Sequence, residues 1–297
     1  LCETYGLAKE GAQRPGYSGQ RGYHPLLAVA AGSGEVLMAR LREGRAHTTR
    51  GAAHFLRETV ARVRAAGASG PLTLRADSGF YSHAVVAACR AMAVRFSVTV
   101  RLQPQLRTLI EAIPEEDWME IPYWLEGGAA VAETAYTPFA HKQGASAVRL
   151  IVRRVRPTPG SQLALFATYS YHAFISDRAG ETIELEADHR RHAEVENAIR
   201  DLKYGVGLNH LPSGRFAANA AWLAVQVIAH NLARWTARLG LGEGVVTTKT
   251  LRRRCFALAG RLTRSARRWT LHLPRRWPWS SQLAAALARI RALPLPA

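Results

Sequence analysis

The stretch "PLTLRADSGFYSHAVVAACRAMAVRFSVTV" (71–100) constrains the fold more than any other part of the chain. In "PLTLRAD", Leu72, Leu74 and Ala76 alternate with Thr73, Arg75 and Asp77, the period of a short strand, so Arg75 and Asp77 share one face. Ser78 and Gly79 supply a turn, Ser82 stands where a helix N-cap belongs, "HAVVAACRAMA" is helical, and "RFSVTV" is a second strand. Strand, helix and strand in this order predict a βαβ unit with Asp77 at the C-terminal end of its first strand. Open α/β sheets place their ligand sites at such ends.

The flanking segments extend this α/β reading. Before it, "YHPLLAVAAGSGEVLMARLREG" (23–44) predicts a hairpin around Gly-Ser-Gly, with Tyr23 and His24 in structural positions, and "TTRGAAHFLRETVARVRAAG" predicts an amphipathic helix ending at Gly67. After it, "YWLEGGAAVAETAYTPF", "AVRLIVRRVR" and "LALFATYSYHAFIS" read as β segments separated by Gly and Pro, with no clear helix among them. Residues 101–165 are therefore expected to form a β-rich insertion that returns to the main sheet near "YHAFIS", with "RVRPTPGSQ" as an exposed turn.

Charge narrows the partners. The 297 residues carry 40 Lys and Arg against 22 Asp and Glu, a net charge of +18, which calls for a polyanion. No run is long and apolar enough for a membrane helix, and "LCETYGLAKEG" is no secretory signal, so nucleic acid is favoured over a membrane surface. Cys2, Cys89 and Cys255 lie far apart with no CxxC pair, which indicates neither a zinc site nor a disulfide framework and makes a reduced cytosol the simplest home. From Gly244 onward there are twelve Lys or Arg and no Asp or Glu, with Arg and Trp interleaved in "RLTRSARRW" and "LPRRWPW". This tail is a candidate DNA surface; the competing reading is a solvated Arg-rich helical face with Trp in the core.

A second acidic position stands in "EADHRRHAEVENAIRDLKYGVGLNHLPS" (186–213). Helical spacing places His189, His192, Glu196, Arg200 and Lys203 along one polar face, while Ala193, Val195, Ala198, Ile199 and Leu202 supply apolar contact. Taken alone, Glu196 reads as an i,i+4 partner of Arg200 on a solvated surface, and Asp77 as a strand-end Asp capping its turn. His210 reads as a loop histidine satisfied by backbone, and Trp222 and Trp235 as core residues of an apolar helix.

Taken together, "RGYHPLLA", "LRADSGFYS", "HAEVENAIRDLKYGVGLNHLPS" and "FAANAAWLAVQVIAHNLARW" resemble the DDE group 1 transposases of bacterial insertion sequences, from the first residues to about Trp235. The resemblance implies an α/β, RNase H-like mixed sheet with flanking helices, a β-rich insertion between the second and third acidic residues, and a helical basic C-terminal segment. It divides the chain into 1–100 (core, first part), 101–165 (insertion), 166–240 (core with the catalytic helix) and 241–297 (basic segment). Carried over by position, Asp77 matches the second catalytic Asp, Glu196 the catalytic Glu, and Lys203 the Lys of a Tyr-Arg-Glu-Lys signature. His189 and His192 stand at the Tyr and Arg positions.

The family's first catalytic Asp belongs to an opening strand, in a stretch resembling Asp-x-Asp-Ser-Thr just before the equivalent of "LCETYG". This chain begins at Leu1, so the resemblance implies an N-terminal truncation. It also implies a site for two Mg2+ ions, with Mn2+ able to substitute, held by Asp77 and Glu196. Such a pair, about 3.5–4 Å apart, neutralises the phosphate, activates the nucleophile and stabilises the leaving oxygen. Arg75, His189, His192, Arg200 and Lys203 become DNA contacts, with Arg75 alternatively keeping Asp77 ionised. The expected partners are double-stranded DNA, as transposon ends and target, and a second copy in a homodimer; no membrane is expected, and the location is the bacterial cytoplasm at the nucleoid. A catalytically dead DNA-binding remnant and an RNase H-like nuclease are the alternative functions.

Overall fold

In the computed structural model, which describes all residues except 6, 16–18, 160–168, 245, 275 and 295–297, the chain divides into two compact units. One comprises Leu1–Ala46 with Glu194–Ala297, the other His47–Ala193.

The first unit opens with a two-strand ladder, β1 (Cys2–Glu3) against β2 (Gly22–Tyr23), and the expected hairpin, β3 (Leu26–Val29) antiparallel to β4 (Val36–Arg40). Tyr23 is fully buried and donates its hydroxyl to Glu10 O at 2.7 Å, the structural role its position predicts.

The second unit is built on a six-stranded mixed sheet flanked by helices, the RNase H-like arrangement that the resemblance implies. In chain order it contains α1 (Ala52–Ala65), β5 (Thr73–Ala76), α2 (His83–Ala91), β6 (Arg95–Thr99), α3 (Pro104–Glu111), β7 (Met119–Ile121), β8 (Ala129–Tyr136), β9 (Val148–Val155), β10 (Ser170–Ser176) and α4 (Thr182–Arg190). β5 and β6 pair in parallel, Ser82 caps α2 by accepting from Val85 N, and the predicted βαβ unit is present. The strand order is β5-β6-β10-β9-β8-β7, with β10 antiparallel to β6, so the inserted strands prolong the same sheet. The expected β segment "LALFAT" and the end of the turn "RVRPTPGSQ" lie outside the described residues.

The unbroken apolar runs in β9 and β10 follow from burial on both faces. Leu150, Val152, Ala173 and Ile175 face a core shared with Val86, Cys89, Leu106 and Ile110, whereas Ile151, Val155 and Phe174 face the opposite core with Ile121 and Leu185. The helix α3 was not expected within the insertion. Pro104 starts it and only Leu106 and Ile110 are buried, a single i,i+4 pair too short to give a periodic signal. Arg149 fastens the start of α4, donating to Arg178 O at 3.1 Å, Gly180 O at 2.7 Å and Thr182 Oγ1 at 3.0 Å while pairing with Glu133.

The first unit resumes with α5 (Ala193–Tyr204), α6 (Phe216–Trp235) running into a π-helical turn (Thr236–Leu241), α7 (Thr248–Leu251) and a second π-helical turn (Arg252–Phe256). The basic tail is not wholly helical: β11 (Arg261–Ser265) and β12 (Arg268–His272) form a hairpin before α8 (Ser280–Arg291).

The inner face of α6 sets polar residues beside the core residues Leu223 and Ala233, and part of its outer face is apolar. Asn219, Gln226, His230 and Arg234 are buried, while Val225, Ile228, Leu232 and Trp235 are exposed, so Trp235 is not the core residue its apolar surroundings suggest. Asn219, His230 and Arg234 are accommodated there because they are bonded. Asn219 clamps both backbone groups of Ser213, and Asn231 clamps those of Val36 at 2.9 and 3.0 Å. Arg234 Nε donates to His230 Nε2 at 2.8 Å and its Nη1 to Ser33 O at 3.1 Å, packed so closely that a Cβ on Gly34, at φ 74°, would lie 2.7 Å from the guanidinium. His230 Nδ1 lies 3.3 Å from Asp201 Oδ2, and that carboxylate accepts from the Thr248 amide and hydroxyl, each at 2.8 Å.

Burial pushes the Asp201 carboxyl upward, but hydrogen bonds from His230 and Thr248 outweigh it and hold the group below the ordinary carboxylate range. A depressed carboxyl stabilises the fold above its unfolded value, about 3.9, and that contribution is lost as pH falls through the folded value. Asp201→Ala is expected to lower stability by about 3 kcal/mol in urea unfolding at pH 7, because His230 and Thr248 lose a buried acceptor. The difference from the parent narrows below about pH 4, where the parent carboxyl takes up its proton.

Candidate functional site

Asp77 follows the buried Ala76 at the end of β5 and is exposed. Its backbone stays extended at φ −76°, ψ 174°, and its Oδ1 accepts the Gly79 amide at 2.8 Å to start the short 3-10 turn Ser78–Phe80. The turn-capping and ligand roles of Asp77 are thus compatible: one carboxylate oxygen is used locally and, among the described residues, the side chain has no ion-pair partner. Gly79 is required by proximity, since a Cβ there would sit 2.9 Å from Asp77 Oδ1 and 3.0 Å from Thr48 Cγ2.

Arg75 shares the strand with Asp77 but is engaged elsewhere. Its guanidinium donates to the Asp188 carbonyl near the C-terminal end of α4 and lies 3.4 Å from Asp188 Oδ1, while Arg178 pairs with Oδ2 of the same carboxylate. Helix carbonyls left without an intrahelical donor are the natural acceptors there. The effect is to lock α4 against β5.

The single helix expected to carry His189 through Lys203 is interrupted. α4 ends at Arg190, Arg191 and His192 form a turn, and α5 begins at Ala193, which divides the five expected polar residues between two helices and their link. His189 is drawn into the sheet, with Ser97 Oγ 2.7 Å from Nδ1 and Thr99 Oγ1 2.9 Å from Nε2, its ring stacked on Phe174 at 4.0 Å. Burial, then the neighbouring His192, Arg75 and Arg153, pushes its pKa down to about 3, so it is neutral at physiological pH. The ring of His192 lies nearly parallel to it at 6.5 Å.

On α5, Glu196 and Arg200 are exposed and Lys203 is half-buried, spaced i, i+4 and i+7, while Ala198, Asp201 and Leu202 turn inward. Glu196 does not pair with Arg200: Arg200 donates to Asn197 Oδ1, and among the described residues Glu196 has no ion-pair partner. Lys203 lies near Cys2 of β1, where its charge opposes the upward push of burial on that thiol. Asp201 and His230 were not anticipated as a buried pair. The signal lies in the helical period, since Asp201 falls between Ala198 and Leu202 on the apolar side of α5.

Among the described residues no group of three His, Cys, Asp or Glu is arranged to hold a metal ion. The donor chemistry of Asp77 and Glu196 nonetheless suits a hard divalent cation, because each is an exposed carboxylate with no cationic side chain paired to it among the described residues.

Against this background, the sequence matches the profile of the family described as transposase DDE domain group 1 over residues 1–295. The chain belongs to this family. No curated protein matches it. Among the described residues of this transposase-family chain, no helix is long and apolar enough to cross a membrane, and the thiols of Cys2, Cys89 and Cys255 are free and buried.

The neutral His189 makes a testable demand on pH. Its folded pKa lies below the unfolded value of about 6.5, so the stabilisation it gives is complete above that value and is lost as pH falls toward about 3. Urea midpoints measured across that interval should fall on acidification in the parent and fall less steeply in His189→Gln, which keeps polar contacts to Ser97 and Thr99 without titrating.

Proposed function

We propose that the chain is a DDE-type DNA transposase that cuts insertion-sequence ends and joins them to target DNA, with Asp77 and Glu196 as catalytic metal ligands. The observation that carries this reading is the match to the transposase family over residues 1–295 in a chain with a net charge of +18, with exposed carboxylates at the two motif positions, Asp77 and Glu196. Arginine neutralises Glu115, Glu133, Glu186 and Asp188, whereas Asp77 and Glu196, like several other exposed carboxylates, have no arginine partner among the described residues. Asp77 and Glu196 are left available for another cation.

The chemistry each residue supplies follows from its setting. The Gly79 amide holds Asp77 Oδ1 and leaves the carboxylate directed by the turn rather than by a mobile side chain. Glu196 projects from a helix anchored one turn later by the buried Asp201. When bound, a divalent cation such as Mg2+ would neutralise phosphate charge and activate water or a 3′-hydroxyl. Arg200 and Lys203, on the same side of α5 as Glu196, bind and orient DNA phosphate. Arg75 and His189 act as positioning residues through Asp188, Ser97 and Thr99. Two copies on paired ends and a place at the bacterial nucleoid belong to the same reading.

The test is Mg2+- or Mn2+-dependent nicking of labelled insertion-sequence ends. Asp77→Asn and Glu196→Gln are each expected to reduce cleavage on the order of 10^3-fold, the scale of losing one preorganised electrostatic group, while leaving DNA affinity nearly unchanged. Lys203→Ala should instead weaken DNA binding and lower its salt slope by about 1. Gly79→Ala, which displaces the Asp77 carboxylate, should impair cleavage without altering affinity. DNA binding with no metal-dependent cleavage would defeat the transposase reading and leave a DNA-binding protein.

A further inference from the structure

The hairpin β11–β12 has no role in the reaction described above, and its two faces differ. Register pairs Arg261 with His272, Thr263 with Thr270 and Ser265 with Arg268, which puts these six polar side chains on one face. Thr263 Oγ1 lies 2.9 Å from His272 Nε2 across that face. The alternate positions Leu262, Arg264, Trp269 and Leu271 form the other face, with the Arg264 guanidinium 5.4 Å from the Trp269 ring centre. Almost every residue of both strands is exposed, and Trp269 and Leu271 are each 60% exposed. Ala266 and Arg267, at φ 46° and 63°, form the tight two-residue turn that matches strand twist and holds Arg267 at the tip. A two-stranded ribbon open on both faces is marginal in water without something against it.

We propose that this ribbon inserts into a groove of duplex DNA and is a second DNA-contacting element of the transposase. Charge selects the occupant: four arginines lie between residues 261 and 268, and no Asp or Glu occurs from Gly244 to the end. The polar face offers cationic and hydroxyl donors matched to phosphate oxygens, and the other face offers Trp and Leu for sugar and thymine-methyl surface. The major groove of B-DNA is wide enough for a two-stranded β-ribbon. The inference rests on the transposase reading for its partner but does not involve Asp77 or Glu196.

The experiment measures binding of a fluorescent DNA duplex of arbitrary sequence to the full chain across a salt series. The triple variant Arg261→Ala/Arg264→Ala/Arg268→Ala is expected to bind at least about tenfold more weakly at moderate salt, with the log–log salt slope reduced by about 2 to 3, roughly one unit for each phosphate that an arginine no longer neutralises. The triple Lys variant should recover most of the slope, and both should keep the parent's thermal midpoint, because these side chains are exposed. A triple Ala variant with the parent's affinity and slope overturns the ribbon inference while leaving the transposase reading intact. Failure of the parent itself to bind DNA overturns both. Loss of self-association in Trp269→Ala, seen by sedimentation with the triple Ala slope unchanged, identifies the ribbon as a protein interface and also overturns the inference.

Discussion

Burial of β10 and β9 on both faces is the constraint on which the 47–193 unit depends. A strand with apolar side chains pointing both ways must have a packed layer on each side, and here α1, α2 and α3 contribute to one core while α4 contributes to the other. Those layers fix where β5 ends. The catalytic candidate Asp77 is then the first residue beyond the buried Ala76, where side chains reach solvent and the backbone turns. Polar contacts adjust this frame more than they create it: Arg149 pins the start of α4, and Arg75 with Arg178 pins its end through Asp188.

In the other unit the corresponding role falls to a buried polar chain. Thr248, Asp201, His230 and Arg234 connect α7, α5, α6 and the β3–β4 turn through successive short contacts. Such a chain is directional where apolar packing is not, so it sets the rotation of α5 about its axis as well as its position. That rotation turns Asp201 inward and Glu196 outward. The acidic residue proposed to act on DNA is therefore oriented by an acidic residue that never meets solvent.

Much of the frame was legible in the sequence because its signals are local. Period-2 alternation, a Ser-Gly turn and a Ser N-cap identify β5, α2, β6 and the position of Asp77, and the hairpin of residues 23–44 is equally explicit. The joint motifs identify the family. The break after Arg190 was not legible, because both sides of it have helical composition and the cause is His189 bonding to Ser97 and Thr99, some ninety residues away. The burial of polar residues on α6 was hidden as well: Val225, Ile228, Leu232 and Trp235 carry much of the apolar signal yet are exposed, and Asn219, His230 and Arg234 are buried because they find bonding partners in the fold.

The sequence by itself determined the α/β class, the strand end that carries Asp77, the helix that carries Glu196 and the basic character that points to DNA, because each is written in residues near one another in the chain. Only the tertiary structure decided which charged groups remain available. Arg75 and His189 look, in sequence, as free as Arg200 and Lys203, yet the first two are held by partners from distant elements, whereas Asp77 and Glu196 keep carboxylates without an ion pair among the described residues. Long-range pairing spends a charge or leaves it open, and no local pattern records which.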